Sequence, residues 1–278
     1  MSKTSRMSSM LVLGCLAVTP TVSGSVCAQQ APMLARTTLE DVKAKLAAGT
    51  ESAAPDLTHR DLSGLDLSGV DFRRANLTGS HLAKAKLVKA NLFSCDLTDA
   101  VLADADLRDA NLDGTVLRRA DFERANLEGA SLFATIIEAA NLSGANLART
   151  RIIGYLKNAK LTGANLSGAN AGADPGNQSM GVMRATFVGA DLSGADLSHA
   201  NLFKADFSFA NLTGAKLVGA DLSNSDLVQT DFSRADLTGA KLAKADINGA
   251  NFRGVVGRSQ IQGLDQARNR DKATFDAQ

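Results

Sequence analysis

From Leu57 to Phe252 a Leu, Phe or Ile stands at almost every fifth residue, mostly preceded by Asp or Asn and, one residue further back, by Ala. The runs Ala190-Asp191-Leu192-Ser193-Gly194 and Ala200-Asn201-Leu202-Phe203-Lys204 show the phrase A-[DN]-[LF]-x-x. A step of five suits neither common element. On an α-helix it advances roughly 140° and sends the Leu series spiralling around the rod. On a flat strand an odd step throws alternate Leu residues to opposite faces. The pattern therefore predicts a chain that turns a corner once per repeat. The small residue and the Leu share the inward side of a short extended segment, and the two residues after Leu form the bend. Glycine recurs at the second of these, for example Gly64, Gly69, Gly114 and Gly194, where a type II turn calls for positive φ.

The phrase resembles the pentapeptide repeat family, and it recurs over nearly the whole span from Leu57 to Phe252. The resemblance implies an all-β solenoid, a right-handed quadrilateral β-helix with four repeats per coil. Charge placement gives an independent reason to expect four sides. If 20 residues make a coil, outward residues 20 apart are neighbours, where opposite charges help and like charges hurt. Between Arg73 and Arg149 the post-Leu pairs at that spacing are Lys84/Asp104, Lys89/Asp109, Asp99/Arg119, Asp104/Arg124, Arg108/Glu128 and Arg118/Glu138, all of opposite sign. Spacings of 15 and 10 give mixed or like pairs. The later half is less tidy, since Asp206, Asp226 and Asp246 form a like-charged column.

The register slips twice: Ile152 to Leu156 is one residue short, and Ala171 to Phe187 is one too long. Between the slips, residues 172–184 read as a loop by their Pro175-Gly176 and polar content. The sequence does not align the faces across it. The organisation expected is a leader over 1–28, a linker and capping helix over 29–52, about nine coils over 53–254, and a C-terminal cap and tail over 255–278. The helix signal is Thr37 or Thr38 as N-cap, an apolar stripe of Leu39, Val42 and Leu46, and Gly49 as C-cap. Solenoids need such atypical ends, because an open coil presents unpaired strand edges. Past Phe252, Val255, Val256, Ile261 and Leu264 are available to cover the other end.

Composition fits a narrow rod: 45% of residues are hydrophobic but only 4% aromatic, with no Trp and one Tyr. Lys3 and Arg6 precede an apolar run from Met10 to Val18, and Val26-Cys27-Ala28 fits a cleavage site, so the first 28 residues read as a secretory signal cleaved after Ala28. The run is too short to span a membrane. Val12-Leu13-Gly14-Cys15 also resembles a lipobox, but only eight residues separate Arg6 from Cys15, and cleavage is preferred to lipidation. The expected location is periplasmic or secreted. Removing Lys3 and Arg6 leaves 28 basic against 29 acidic residues, which gives no electrostatic reason to expect nucleic acid or an anionic membrane as partner.

Catalytic chemistry has little room here. Cys95, the one cysteine beyond the leader, occupies the small inward position and reads as a packed thiol. His59, His81 and His199 fall on outward sites at different heights, so no nucleophile-base or metal-ligand set emerges. No cofactor or metal is expected. What remains is surface. Phe93 and Phe133 should face solvent on one side, with Ile153 extending their column beyond Asp113; Phe203 and Phe209 are further outward aromatics. Such residues on a polar surface are candidate contact points. The reading is a non-enzymatic exported scaffold that binds a protein, either another species or a second copy. One alternative, from the family, is a DNA mimic protecting a type II topoisomerase, which needs a coherent acidic face. Another is a cation-binding or enzymatic protein using the Asp column or the 172–184 loop.

Overall fold

The computed structural model describes residues 37–50, 53–173 and 183–277; the leader at 1–28 and most of the insertion lie outside the described residues. Four short extended sides make each coil. Asp56, Asp61, Asp66 and Asp71 begin the first to fourth sides of the first coil, and they pair in parallel with Asn76, His81, Lys86 and Asn91, each 20 residues on. A side exchanges two backbone bonds with its neighbour. Leu112 N–H donates to Ser131 O at 2.8 Å, and Ser131 N–H donates to Ala110 O at 3.0 Å. Repeated up the stack, this ladder makes a right-handed quadrilateral β-helix.

Inside, like sits on like. The Leu, Phe and Ile of the repeat and the small residues two positions earlier are almost all no more than 1% exposed. Phe187 stacks on Phe207 with ring centroids 4.6 Å apart, and Phe232, Phe252 and Phe275 stack at 5.0 and 5.2 Å. Where the small residue is Ser or Thr, its hydroxyl donates to a backbone carbonyl, as Ser80 Oγ does to Leu77 O and Thr115 Oγ1 to Leu112 O. A buried hydroxyl without such a partner would cost about 1–3 kcal/mol.

The residue before Leu explains its Asp/Asn preference at the corner. Its Oδ1 accepts the N–H two residues on, as Asp56 does from Thr58 and Asp196 from Ser198, an Asx turn that fixes the bend. The second corner residue has positive φ whatever its side chain: Gly64 (68°), Lys84 (59°), Asp104 (58°) and Arg124 (56°) occupy one corner column. Glycine is therefore favoured at the bend but not required by it. The left-handed conformation costs a non-glycine residue roughly 1–2 kcal/mol, and the ladder bonds on either side hold it there.

The two slips meet in one coil. The ladder offset falls to 19 at Thr135↔Gly154 and rises to 31 at Tyr155↔Thr186 before returning to 20. The short side belongs to two continuous strands, β1 (Ser131–Ile136) and β2 (Arg151–Tyr155), in which Ala134 has no partner between Phe133↔Ile153 and Thr135↔Gly154. Gly154 passes so close to the coil below that a Cβ would lie 2.5 Å from Thr135 Oγ1 and 2.6 Å from its carbonyl oxygen. Pairing of Arg151 with Asn170, and of Asn170 with Asn201, carries the fourth side across the insertion.

At the N-terminal end, α1 (Leu39–Ala47) begins with a capping box in which Thr38 and Asp41 satisfy each other's backbone N–H. Val42 is fully buried and Leu39 and Leu46 pack on the core. At the other end Val255, Ile261 and Leu264 pack on the core as the expected cover, whereas Val256 is exposed and the residues expected as a polar tail complete a wider coil. Val256, Gln262, Arg268 and Thr274 pair with Asp236, Lys241, Asp246 and Asn251 at offsets growing from 20 to 23. Its sides are six residues long, and short 3-10 turns at Arg258–Gln260, Leu264–Gln266 and Arg270–Lys272 fill the corners. This coil adds to the nine counted from the pentapeptide phrase.

Two substitutions test this account. Leu112→Ala should lower the unfolding free energy by about 2–5 kcal/mol in a denaturant titration, and Leu112→Asp should abolish the β-type circular dichroism. At Gly263 (φ 70°) a Cβ would lie 2.8–2.9 Å from Ala243 Cβ, Cα and N, so Gly263→Ala should strip hydrogen-exchange protection from residues 255–277 while leaving the middle coils protected.

Candidate interaction face

The corner between the fourth and first sides carries the outward aromatics. Phe93 is 44% exposed. Phe133, two coils up, is half-buried, with the Arg151 guanidinium 4.2 Å from its ring centroid. Asp113 lies between them and accepts the Phe133 N–H at 2.9 Å. Ile153 departs from expectation: it is 2% exposed rather than outward. A corner elsewhere holds two residues, but here Ala134 has no counterpart. Ile153 stands alone between Ile152 and the closely packed Gly154, and it is buried with them.

The ladder also aligns the faces across the insertion. Because Asn201 pairs with Asn170 and Ala173 N–H donates to Phe203 O, Phe203 stands on the same corner as Phe93, Phe133 and Ile153. Phe209, 57% exposed, follows Asp206 and so belongs to the next corner, on the far edge of the first side. Between the two corners the first side presents Val116, Ile136 and Tyr155 in successive ladder positions. Val116 and Ile136 are half-buried and Tyr155 is 56% exposed. These three were not singled out from the sequence, although the signal was there: they occupy the position otherwise given to Asp or Asn. Together with Phe133 they form the apolar centre of this face.

Higher on the same side lies the acidic column. Asp206 pairs with Asp226, and Asp226 with Asp246, in the ladder. The carboxylates are not left to repel one another. Arg184, the last residue of the 172–184 segment, reaches Asp226 at 2.7 Å and Asp206 at 3.2 Å. Arg268 from the wide terminal coil reaches Asp226 at 3.5 Å, and Asn269 Nδ2 donates to Asp246 at 2.8 Å. Guanidinium groups thus stand where a cation-site reading places an ion, and among the described residues no cluster of metal-ligating groups is assembled.

Elsewhere, including the corner between the first and second sides that Phe209 shares, the charges are mixed. Of the pairs expected at spacing 20, Asp99–Arg119 closes at 2.6 Å, Asp104–Arg124 at 2.8 Å and Arg118–Glu138 at 3.2 Å. The guanidinium hydrogen bonds hold Asp99 and Asp104 below the usual carboxylate range. Arg108 instead turns to Asp106 of its own repeat at 2.7 Å, and Glu128 is met by Arg149. His59, His81 and His199 are exposed on separate coils. Cys95 is 1% exposed, and its Sγ donates to Phe72 O at 3.1 Å. Burial pushes its thiol up to about 12, which keeps it protonated and removes its nucleophilic character.

Residues 56–93, 95–132, 183–217 and 215–254, more than half of the chain, match the family Pentapeptide repeats in eight copies. No curated protein matches the chain. Among solved structures it is similar to HetL, a pentapeptide repeat protein involved in heterocyst differentiation regulation from the cyanobacterium Nostoc sp. strain PCC 7120, with 27% identity, 85% of this chain and 98% of that one covered, and a TM-score of 0.27. It is similar to a pentapeptide repeat protein of the Arabidopsis thaliana thylakoid lumen, with 26% identity, 49% and 81% covered, and a TM-score of 0.29. Full-length QnrB1, a plasmid-mediated fluoroquinolone resistance protein, shares 17% identity over 76% of this chain and 92% of its own, with a TM-score of 0.27. These overlaps are loose, and the assignment rests on the repeat match and the ladder.

The buried thiol has a measurable consequence. In the folded chain at pH 8, iodoacetamide should leave Cys95 unmodified, and denaturant should make it react at the rate of a free thiol; mass spectrometry of the peptide holding Cys95 distinguishes it from Cys15 and Cys27. Rapid labelling of the native protein would contradict the packed position.

Proposed function

The chain belongs to the pentapeptide repeat family, and from that premise we propose that it is a non-enzymatic, exported scaffold that binds another protein through the first side and its flanking corners. The observation that carries the reading is the apolar centre formed by Phe133, Val116, Ile136 and Tyr155. Elsewhere the position before Leu is mostly Asp or Asn, whose Oδ1 satisfies its own turn, so an aliphatic and aromatic run there has no role in building the corner. Half-exposed apolar side chains aligned on one face of an otherwise polar surface mark contact sites. Export is supported by the leader-like first 28 residues, and among the described residues no helix is long and apolar enough to cross a membrane.

The DNA-mimicking alternative is disfavoured by the charge arrangement. Asp99 and Asp104 are capped by Arg119 and Arg124, and the Asp206 column by Arg184 and Arg268. Among the described residues no side offers an uninterrupted acidic stripe of the kind that imitates a phosphate backbone. An enzymatic role is disfavoured by the protonated, buried Cys95 and the scattered histidines.

Affinity capture from a periplasmic extract tests the proposal, with light scattering as the readout for self-association. Phe133→Ser combined with Tyr155→Ser should abolish the captured complex or the dimer while leaving the melting curve nearly unchanged. Association that persists in the folded double variant would remove this face from consideration.

A further inference from the structure

Above the apolar centre, the same side opens into a groove of about 430 Å³ lined by Arg184, Lys204, Asn224, Lys244 and Arg268. Two kinds of cation meet in it. Arg184 and Arg268 are tied down by Asp206 and Asp226, and Arg184 also donates to Lys204 O and Arg268 to Lys244 O. Lys204 and Lys244 stand two coils apart on one corner, roughly 10 Å at the usual strand spacing. Their ammonium groups have no carboxylate partner among the described residues; Lys204 lies over the Phe203 ring at 5.3 Å. Asn224 sits between them. The groove thus holds a row of donors whose rigid members are already neutralised and whose flexible members are not.

We infer that this groove receives the acidic stretch of an extended peptide segment whose apolar residues rest on Tyr155, Ile136 and Phe133. The inference deepens the scaffold reading and rests on it. Continuity carries it: the ladder sets Tyr155 directly beneath Thr186 and Thr186 beneath Asp206, so the apolar centre leads up the first side to the corner that flanks it, where Lys204, Asn224 and Lys244 stand. An extended strand places carboxylates on one face about 7 Å apart, within the span of two long Lys side chains and the amide between them. A phosphate polymer fits less well, because Asp206 and Asp226 already neutralise Arg184 and Arg268 and leave only the two lysines uncompensated. A purely ionic ligand would make no use of the apolar half.

The probe is a fluorescein-labelled, end-capped peptide of Leu-Phe-Leu followed by four Glu residues, titrated with the full chain and read by anisotropy; its control replaces the four Glu by Lys. The Glu peptide should bind, the Lys peptide should not, and added salt should weaken the complex. Lys204→Gln with Lys244→Gln should weaken binding about tenfold with the melting curve unchanged, since Gln already occupies the same corner conformation at Gln229 (φ 53°). Absence of binding, equal binding of both peptides, or an unchanged affinity in the double variant overturns the inference. If the natural complex is lost with Phe133→Ser and Tyr155→Ser but survives Lys204→Gln and Lys244→Gln, the scaffold reading stands and the groove assignment falls.

Discussion

Everything in this molecule depends on the pair of backbone hydrogen bonds that each short side exchanges with the coil above, such as those between Leu112 and Ser131 and between Ser131 and Ala110. Parallel pairing at a fixed offset places each residue over the one a coil earlier, so a five-residue rule becomes a set of vertical columns. The inward columns bury Leu on Leu and Phe on Phe. The outward columns bring residues far apart in the chain to neighbouring heights. A departure at one point changes the offset of the coil that contains it, and for this reason the four-residue side at Ile152–Leu156 leaves its mark in 19-residue offsets as far as Arg151↔Asn170.

The same ladder explains why so many polar residues imply so little chemistry. Asp and Asn before Leu are spent on Asx turns, Asn residues bridge successive coils as Asn146 does to Asn126, and buried Ser and Thr hydroxyls go to backbone carbonyls. A side chain engaged in its own corner is not available as a base or ligand. The proposed face draws on side chains that are not engaged in their own corner: Val116, Ile136 and Tyr155 before Leu, and the ammonium groups of Lys204 and Lys244 at the second corner position.

The candidate face was only partly legible in the chain. Phe93 and Phe209 are exposed as their places in the repeat imply, but Ile153 is buried because its corner lost a residue, a geometric consequence that a column drawn at fixed spacing does not contain. Tyr155 was hidden by the same slip, which moves it into line with Val116 and Ile136. The Asp206 column suggested unbalanced charge, yet its partner Arg184 sits at the far edge of a segment that reads as loop, and its second partner Arg268 belongs to a coil whose sides are six residues long.

The sequence by itself determined the repeat and the inward positions, since these follow from local turn chemistry; the 20-residue coil was implied by the family resemblance and supported by the sign of charges at one spacing. It also determined that Cys95 is packed and that catalytic groups are scattered. Only the tertiary structure decided which faces align across the insertion, that Arg108 prefers Asp106 to Glu128, and that residues 255–277 build a further coil. The reason is physical. Periodicity fixes what each residue does within its own turn, whereas the choice among several partners in reach depends on where the ladder brings the chain back, and every change in side length alters that return.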